Sequence, residues 1–220
     1  MPTTIAVTGR AEERIAPELA AVSLSVGGSG AARDDVAART GRAHERLLAE
    51  VRQLEASGSL DTWSAGQLRV WSYRPWNNEG KQLPVVHQAS ADVEVVFTDL
   101  DRLGAWVGEV ATGDELAVGG IDWRLTDATR RRVQEAAQRA AVADAVAKAQ
   151  VYASALGLGT PAPVELADHG MLSAQPMPAA PKAMMMRTAA DLSGPPAPEF
   201  APAELVIEAS VDARFTADPA

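Results

Sequence analysis

The 220-residue chain contains no cysteine. Disulfides, thiolate nucleophiles, iron–sulfur clusters and cysteine-ligated zinc are therefore excluded. Aromatic residues are scarce, 5% of the chain, so valine, leucine and alanine must fill any core. Positive charge is also short: 20 lysines and arginines stand against 29 acidic residues, a formal net charge of −9. An acidic surface repels phosphate backbones and argues against nucleic-acid binding. The basic cluster Arg130-Arg131-Arg132 opens a helical pattern and is followed by Glu135, which reads as a solvated helix face. No apolar run approaches the roughly 18 residues of a membrane-spanning helix. The opening Met-Pro-Thr-Thr-Ile-Ala-Val-Thr-Gly-Arg lacks the basic start and apolar stretch of a secretory signal, so the expected location is the cytoplasm.

What is present is patterning. Residues 3–9 alternate Ile5 and Val7 with Thr4 and Thr8, a short strand. Residues 19–26 alternate again, with Ala20, Val22, Leu24 and Val26 on one face and Ala21, Ser23 and Ser25 on the other. The cluster Gly27-Gly28-Ser29-Gly30 ends that strand as a turn. Its spacing fits neither a Walker loop nor a dinucleotide fingerprint. From Asp34 to Ala56, the residues Val36, Thr40, Ala43, Leu47, Val51 and Leu54 form one helical stripe, with Asp34 or Asp35 as cap and Gly58 beyond the end.

Residues 60–73 and 84–97 read as two long strands of a β-hairpin joined through the turn-rich Pro75-Trp76-Asn77-Asn78-Glu79-Gly80. Asp99–Val110 reads as a helix capped by Asp99. Leu116–Leu125 reads as a strand bulged at Gly119-Gly120. Thr126–Leu156 is the longest helix, capped by Thr126 or Asp127 and stopped by Gly157. Its expected buried stripe is Val133, Ala136, Ala140, Ala143, Ala147, Val151 and Leu156. A short strand at 163–167 precedes the segment 169–203, which is rich in proline and methionine and has no periodicity. The clearest alternation in the chain then runs from Leu205 to Phe215.

The fold class that follows is α+β: antiparallel β-sheets with a long β-hairpin, packed against long α-helices. Two halves are expected, 1–98 and 99–216, the second holding the 169–203 loop.

Chemistry is hard to find. Three histidines occur, none beside a nucleophile and an orienting acid in a known pattern, and no carboxylate pair stands apart from capping and surface roles. No cofactor-binding or metal-ligating pattern is read. The methionines 171, 177 and 184–186, with His169 nearby, lack the spacing that would turn several thioethers toward one Cu(I). Contact surfaces are easier to see. Trp71, Tyr73 and Trp76 gather at the hairpin, and clustered aromatics mark contacts. Met184, Met185 and Met186 suit an adaptable apolar contact.

The order of these pieces carries a resemblance. The strand Ile-Ala-Val-Thr-Gly-Arg-Ala leads to Ala-Pro-Glu-Leu-Ala-Ala-Val-Ser-Leu-Ser-Val, then a helix and a hairpin entering Ala-Asp-Val-Glu-Val-Val-Phe-Thr-Asp-Leu-Asp-Arg-Leu-Gly. Next come Gly-Gly-Ile-Asp-Trp-Arg-Leu-Thr-Asp, the long alanine helix, the loop and the last strand. Over residues 3–216 this resembles the SIMPL-domain family, formerly a domain of unknown function, which includes bacterial envelope-associated immunogenic proteins. The resemblance implies an α+β protein, a large ring-like homo-oligomer and a link to oxidative-stress defence, and it carries over no catalytic residues. The usual Pro-Asp before the second strand is Pro17-Glu18 here. The expectation is a non-enzymatic, self-associating protein. A small-ligand-binding module, its ligand unknown, and an unrecognised enzyme are the alternatives.

Overall fold

The computed structural model describes residues 1–78, 81–111, 113–172 and 202–219. Met184, Met185 and Met186 lie outside the described residues. The fold is α+β, with three helices and eight strands among the described residues, all strand pairs antiparallel. The elements are β1 (Thr3–Ile15), β2 (Leu19–Gly30), α1 (Arg33–Ala56), β3 (Leu60–Ala65), β4 (Arg69–Tyr73), β5 (Val86–Phe97), α2 (Leu100–Val110), β6 (Leu116–Arg124), α3 (Asp127–Ala155), β7 (Ala162–Asp168) and β8 (Leu205–Ala217). They form two compact units interleaved in sequence, and these units are not the halves 1–98 and 99–216. One takes residues 1–16, 126–172 and 204–219. The other takes 17–125 together with 202–203.

The 17–125 unit is a five-stranded sheet, β3-β5-β2-β6, with β4 also on β5. The alternation of β2 and β5 puts Val22, Leu24, Val26, Val93, Val95 and Phe97 on one face. There the α1 residues Ala43, Leu47, Val51 and Leu54 meet Leu103, Trp106 and Val107 of α2. Phe97 and Trp106 pack with their rings tilted at 45° and centroids 5.2 Å apart. Full burial of side chains like these is worth about 1.5–3 kcal/mol each. The stripe expected on α1 is the stripe that is buried. Its start differs: Ala32 occupies the N-cap without a side-chain bond, and Asp34 and Asp35 lie in the first turn, where they oppose the helix dipole. Asp99 does cap α2, its Oδ1 accepting from the Arg102 N–H at 3.0 Å. The bulge falls where Gly119 and Gly120 interrupt the register between Val22 and Leu24.

The expected 60–73 strand is broken. β3 and β4 both pair with β5, on the side away from β2, and the register slips by one residue between them. Gly66 lies in the break, its N–H donating to the Asp92 carbonyl at 2.7 Å. A Cβ there would crowd that carbonyl at 3.3 Å.

The other unit is a three-stranded sheet, β1-β8-β7, under α3. β1 runs past residue 9 to Ile15 because β8 pairs with it without interruption from Thr3↔Ala217 to Ile15↔Leu205. Thr126 caps α3, its side chain accepting from the Thr129 N–H. The buried stripe corrects the expectation. Val133, Ala137, Ala141, Ala145, Ala149 and Ala153 face the sheet, while Val151 and Leu156 are each 64% exposed. The reason is Gly9. A Cβ there would strike the Ala141 carbonyl and lie 2.8 Å from the Ala145 Cβ. The helix backbone therefore rests on the strand, and only alanine fits between them.

Candidate functional site

The hairpin was the expected contact surface. Trp71 and Tyr73 stand in β4 opposite Gln88 and Val86. That places them on the sheet face opposite the one bearing Ala89, Ala91, Val93 and Val95, so α1 does not cover them. They are 43% and 45% exposed. Trp76, in the following loop, is 85% exposed. A recess of about 410 Å³ at this loop is lined by Arg74, Trp76, Lys81 and Leu83 among others, and Arg74 donates to the Leu83 carbonyl at 2.8 Å. The three aromatics thus share the outer part of one hairpin.

The backbone beside them carries one side-chain hydrogen bond on its outer side, from Arg33 to the Val70 carbonyl at 3.3 Å. Among the described residues, β4 pairs with β5 alone. The outer edge of β1 is treated differently. The Arg10 N–H donates to Asp144 Oδ2 at 2.8 Å, and Lys148 Nζ donates to the Thr8 carbonyl at 3.0 Å. Asp144 and Lys148, one turn apart on α3, are themselves joined at 2.6 Å. An ion pair on the helix therefore occupies the groups that a foreign strand would use. The Lys148 hydrogen bond, with the Arg10 N–H, holds the Asp144 carboxyl below its usual range.

Two polar groupings escaped the sequence reading. On the face of the three-stranded sheet away from α3, Asp212 gathers three donors: the Thr8 hydroxyl at 2.8 Å, His169 Nδ1 at 3.0 Å and the Gly170 N–H at 2.7 Å. The Asp212 side chain is only 14% exposed. Burial pushes its carboxyl up, and the Gly170, His169 and Thr8 hydrogen bonds outweigh that and hold it below the usual carboxylate range. Gly170 reaches it through a positive φ of 85°, which favours glycine. Arg214 completes the grouping, bonding Glu165 at 2.7 Å and the Leu172 carbonyl at 3.1 Å. Cavities of about 630 and 250 Å³ lie on either side of His169. In sequence Asp212 and His169 are 43 residues apart, with no pattern to link them.

The second grouping is cross-strand: Ser72 Oγ and His87 Nδ1 are 2.7 Å apart on β4 and β5. Neither grouping is a catalytic triad. Thr8 gives its proton to Asp212 rather than to His169. The other ring nitrogen of His87 has no hydrogen bond among the described residues, so no acid orients the ring.

A third feature is a recess of about 710 Å³ between α1 and the β2–β6 side of the larger sheet. Arg39 and Arg46 converge there on Glu115, at 3.5 and 3.3 Å, beside the Gly27 and Gly28 backbone. Among the described residues no helix is long and apolar enough to cross a membrane.

A family model matches residues 5–215, nearly the whole chain, and is described as SIMPL, protein of unknown function (DUF541). No curated protein matches the chain.

Proposed function

This chain belongs to the SIMPL family, whose function is unknown, and from that premise we propose that it is a non-enzymatic protein that works by associating with copies of itself. The observation that supports this reading is the exposure of Trp71, Tyr73 and Trp76 together on one hairpin. Large aromatics clustered in water mark contact surfaces, because each brings a large apolar area to an interface. A non-enzymatic role agrees with the two polar groupings, in which the hydroxyl either bonds a carboxylate or faces an unoriented imidazole.

The test is light scattering coupled to size-exclusion chromatography at tens of micromolar protein. The wild-type chain is expected to elute as an assembly, and Trp71→Ser/Trp76→Ser as smaller species with an unchanged circular dichroism spectrum. A monomeric wild type overturns the proposal. A place for that assembly in oxidative-stress defence belongs to the same proposal, and unchanged peroxide survival in a deletion strain would remove it.

The 710 Å³ recess favours a second reading, a small-ligand-binding module. Its size suits a small molecule, and the guanidiniums of Arg39 and Arg46 reach its lining. A ligand retained in native mass spectra, and lost in Arg39→Ala/Arg46→Ala, would support this reading over the first.

A further inference from the structure

The proposed self-association leaves open which atoms of a second copy meet the hairpin, and the ladder geometry of β4 answers it. The Gly27 N–H donates to the Glu115 carbonyl, toward the β6 side of β2. Gly28 therefore turns its backbone groups toward β5, where it is paired with Ala89. Ala89 faces β2 in return, so Gln88 and Ser90 face β4. The Gly66 N–H, donating to the Asp92 carbonyl at 2.7 Å, gives the same parity from the other direction. The residues paired with Ser90, Gln88 and Val86 are Arg69, Trp71 and Tyr73, and these spend their N–H and C=O groups on β5. Val70 and Ser72 point theirs outward. Arg33, reaching the Val70 carbonyl at 3.3 Å, agrees with that.

We propose that β4 pairs with β4 of a second copy, antiparallel, about a two-fold axis through Trp71. In this register Val70 exchanges both backbone hydrogen bonds with Ser72 of the other copy. Trp71 then lies opposite its own symmetry mate in a non-hydrogen-bonded pair, the closer kind of cross-strand neighbour. Arg69 falls opposite Tyr73 of the other copy. Its guanidinium edge is held by Asp92 at 2.6 Å, and its flat face remains to stack on the phenol ring. The strand is therefore complementary to itself in hydrogen bonding, and each Arg69 meets an aromatic ring across the axis. A second copy is the occupant it suits, because a two-fold contact needs the same patch to fit itself. The contrast with β1 supports this choice of edge. There, Asp144 and Lys148 occupy the outward groups of Arg10 and Thr8. At β4, Arg33 takes one lone pair of the Val70 carbonyl at 3.3 Å and leaves the other, and among the described residues no side chain holds the Val70 N–H or either backbone group of Ser72.

The proposal rests on self-association and is tested separately from it. Ser72→Pro removes the outward N–H and leaves the β4–β5 ladder its donors at Trp71 and Tyr73. Ser72→Ala removes only the hydroxyl that meets His87. Tyr73→Arg sets two guanidiniums opposite each other across the axis. Concentration-dependent light scattering is expected to show Ser72→Ala associating like wild type. Ser72→Pro and Tyr73→Arg should each bind at least about tenfold more weakly. A folded Ser72→Pro and a folded Tyr73→Arg that both associate like wild type overturn β4 pairing. If Trp71→Ser/Trp76→Ser nonetheless dissociates the assembly, self-association through the aromatics survives. Should Ser72→Pro fail to fold, Tyr73→Arg decides alone. A wild type that stays monomeric while its edge takes up a synthetic strand peptide of residues 68–74 overturns the second copy as occupant.

Discussion

Gly9 decides how near α3 can come to β1, because any Cβ there meets the helix backbone at Ala141. Gly9→Ala is expected to cost about 3 kcal/mol in urea unfolding, since a carbonyl in a packed helix cannot swing aside as a side-chain tip can. Asp212 sets a different limit, on pH. Its carboxyl titrates lower in the folded chain than in the unfolded one. In acid the unfolded state therefore binds more protons, and stability falls as pH drops through the folded value. The contribution is fully present above the ordinary aspartate pKa of about 4. Melting temperatures measured between pH 7 and pH 3 should fall for the wild type, and fall less for Asp212→Asn.

At the scale of the element, α1 and α3 show what a sequence discloses. α1 buries valine and leucine at three- and four-residue steps, and its stripe is plain because hydrophobicity and burial coincide. In α3 they part. The large residues Val151 and Leu156 draw the eye to one face, while the helix buries a run of alanines four apart, from Ala137 to Ala153. Alanine is nearly as common on the exposed sides of this helix, so composition alone could not pick the face. Gly9, distant in sequence, picks it. Ala145→Leu should therefore destabilise by about 1–3 kcal/mol, and Val151→Lys should stay within about 0.5 kcal/mol, both read by chemical unfolding. The α+β class, the hairpin, the bulge at Gly119-Gly120 and the caps Asp99 and Thr126 were visible locally. The aromatics of the candidate surface were visible too. The break at Gly66 and the donors gathered on Asp212 were not, since each depends on a partner strand far along the chain. The Asp144–Lys148 pair is likewise a tertiary device. Asp144→Ala/Lys148→Ala bares the β1 edge and is expected to raise turbidity on mild heating, with little change in helix content by circular dichroism.

Taken whole, the molecule is one unit interrupted by another. Residues 17–125 carry their own sheet, two helices and a core in which each strand finds its partner. A fragment of those residues is expected to fold alone and melt cooperatively by circular dichroism, and Leu47→Ala should destabilise that fragment by about 2–5 kcal/mol. The surrounding unit has no such continuity. Among the described residues its β1 pairs with β8 alone, from Thr3↔Ala217 inward, so two strands far apart in the chain must meet. On a ribosome adding roughly 5–20 residues per second, β8 emerges about 10–40 s after β1. Until α3 has been made the alternating face of Ile5 and Val7 has no neighbour in the nascent chain, and until β8 has been made the β1 ladder has no partner, while the inserted unit can already have closed. The surrounding unit thus stays unfinished until β8 has been made, and β1 is the segment a holding chaperone would be called on to cover.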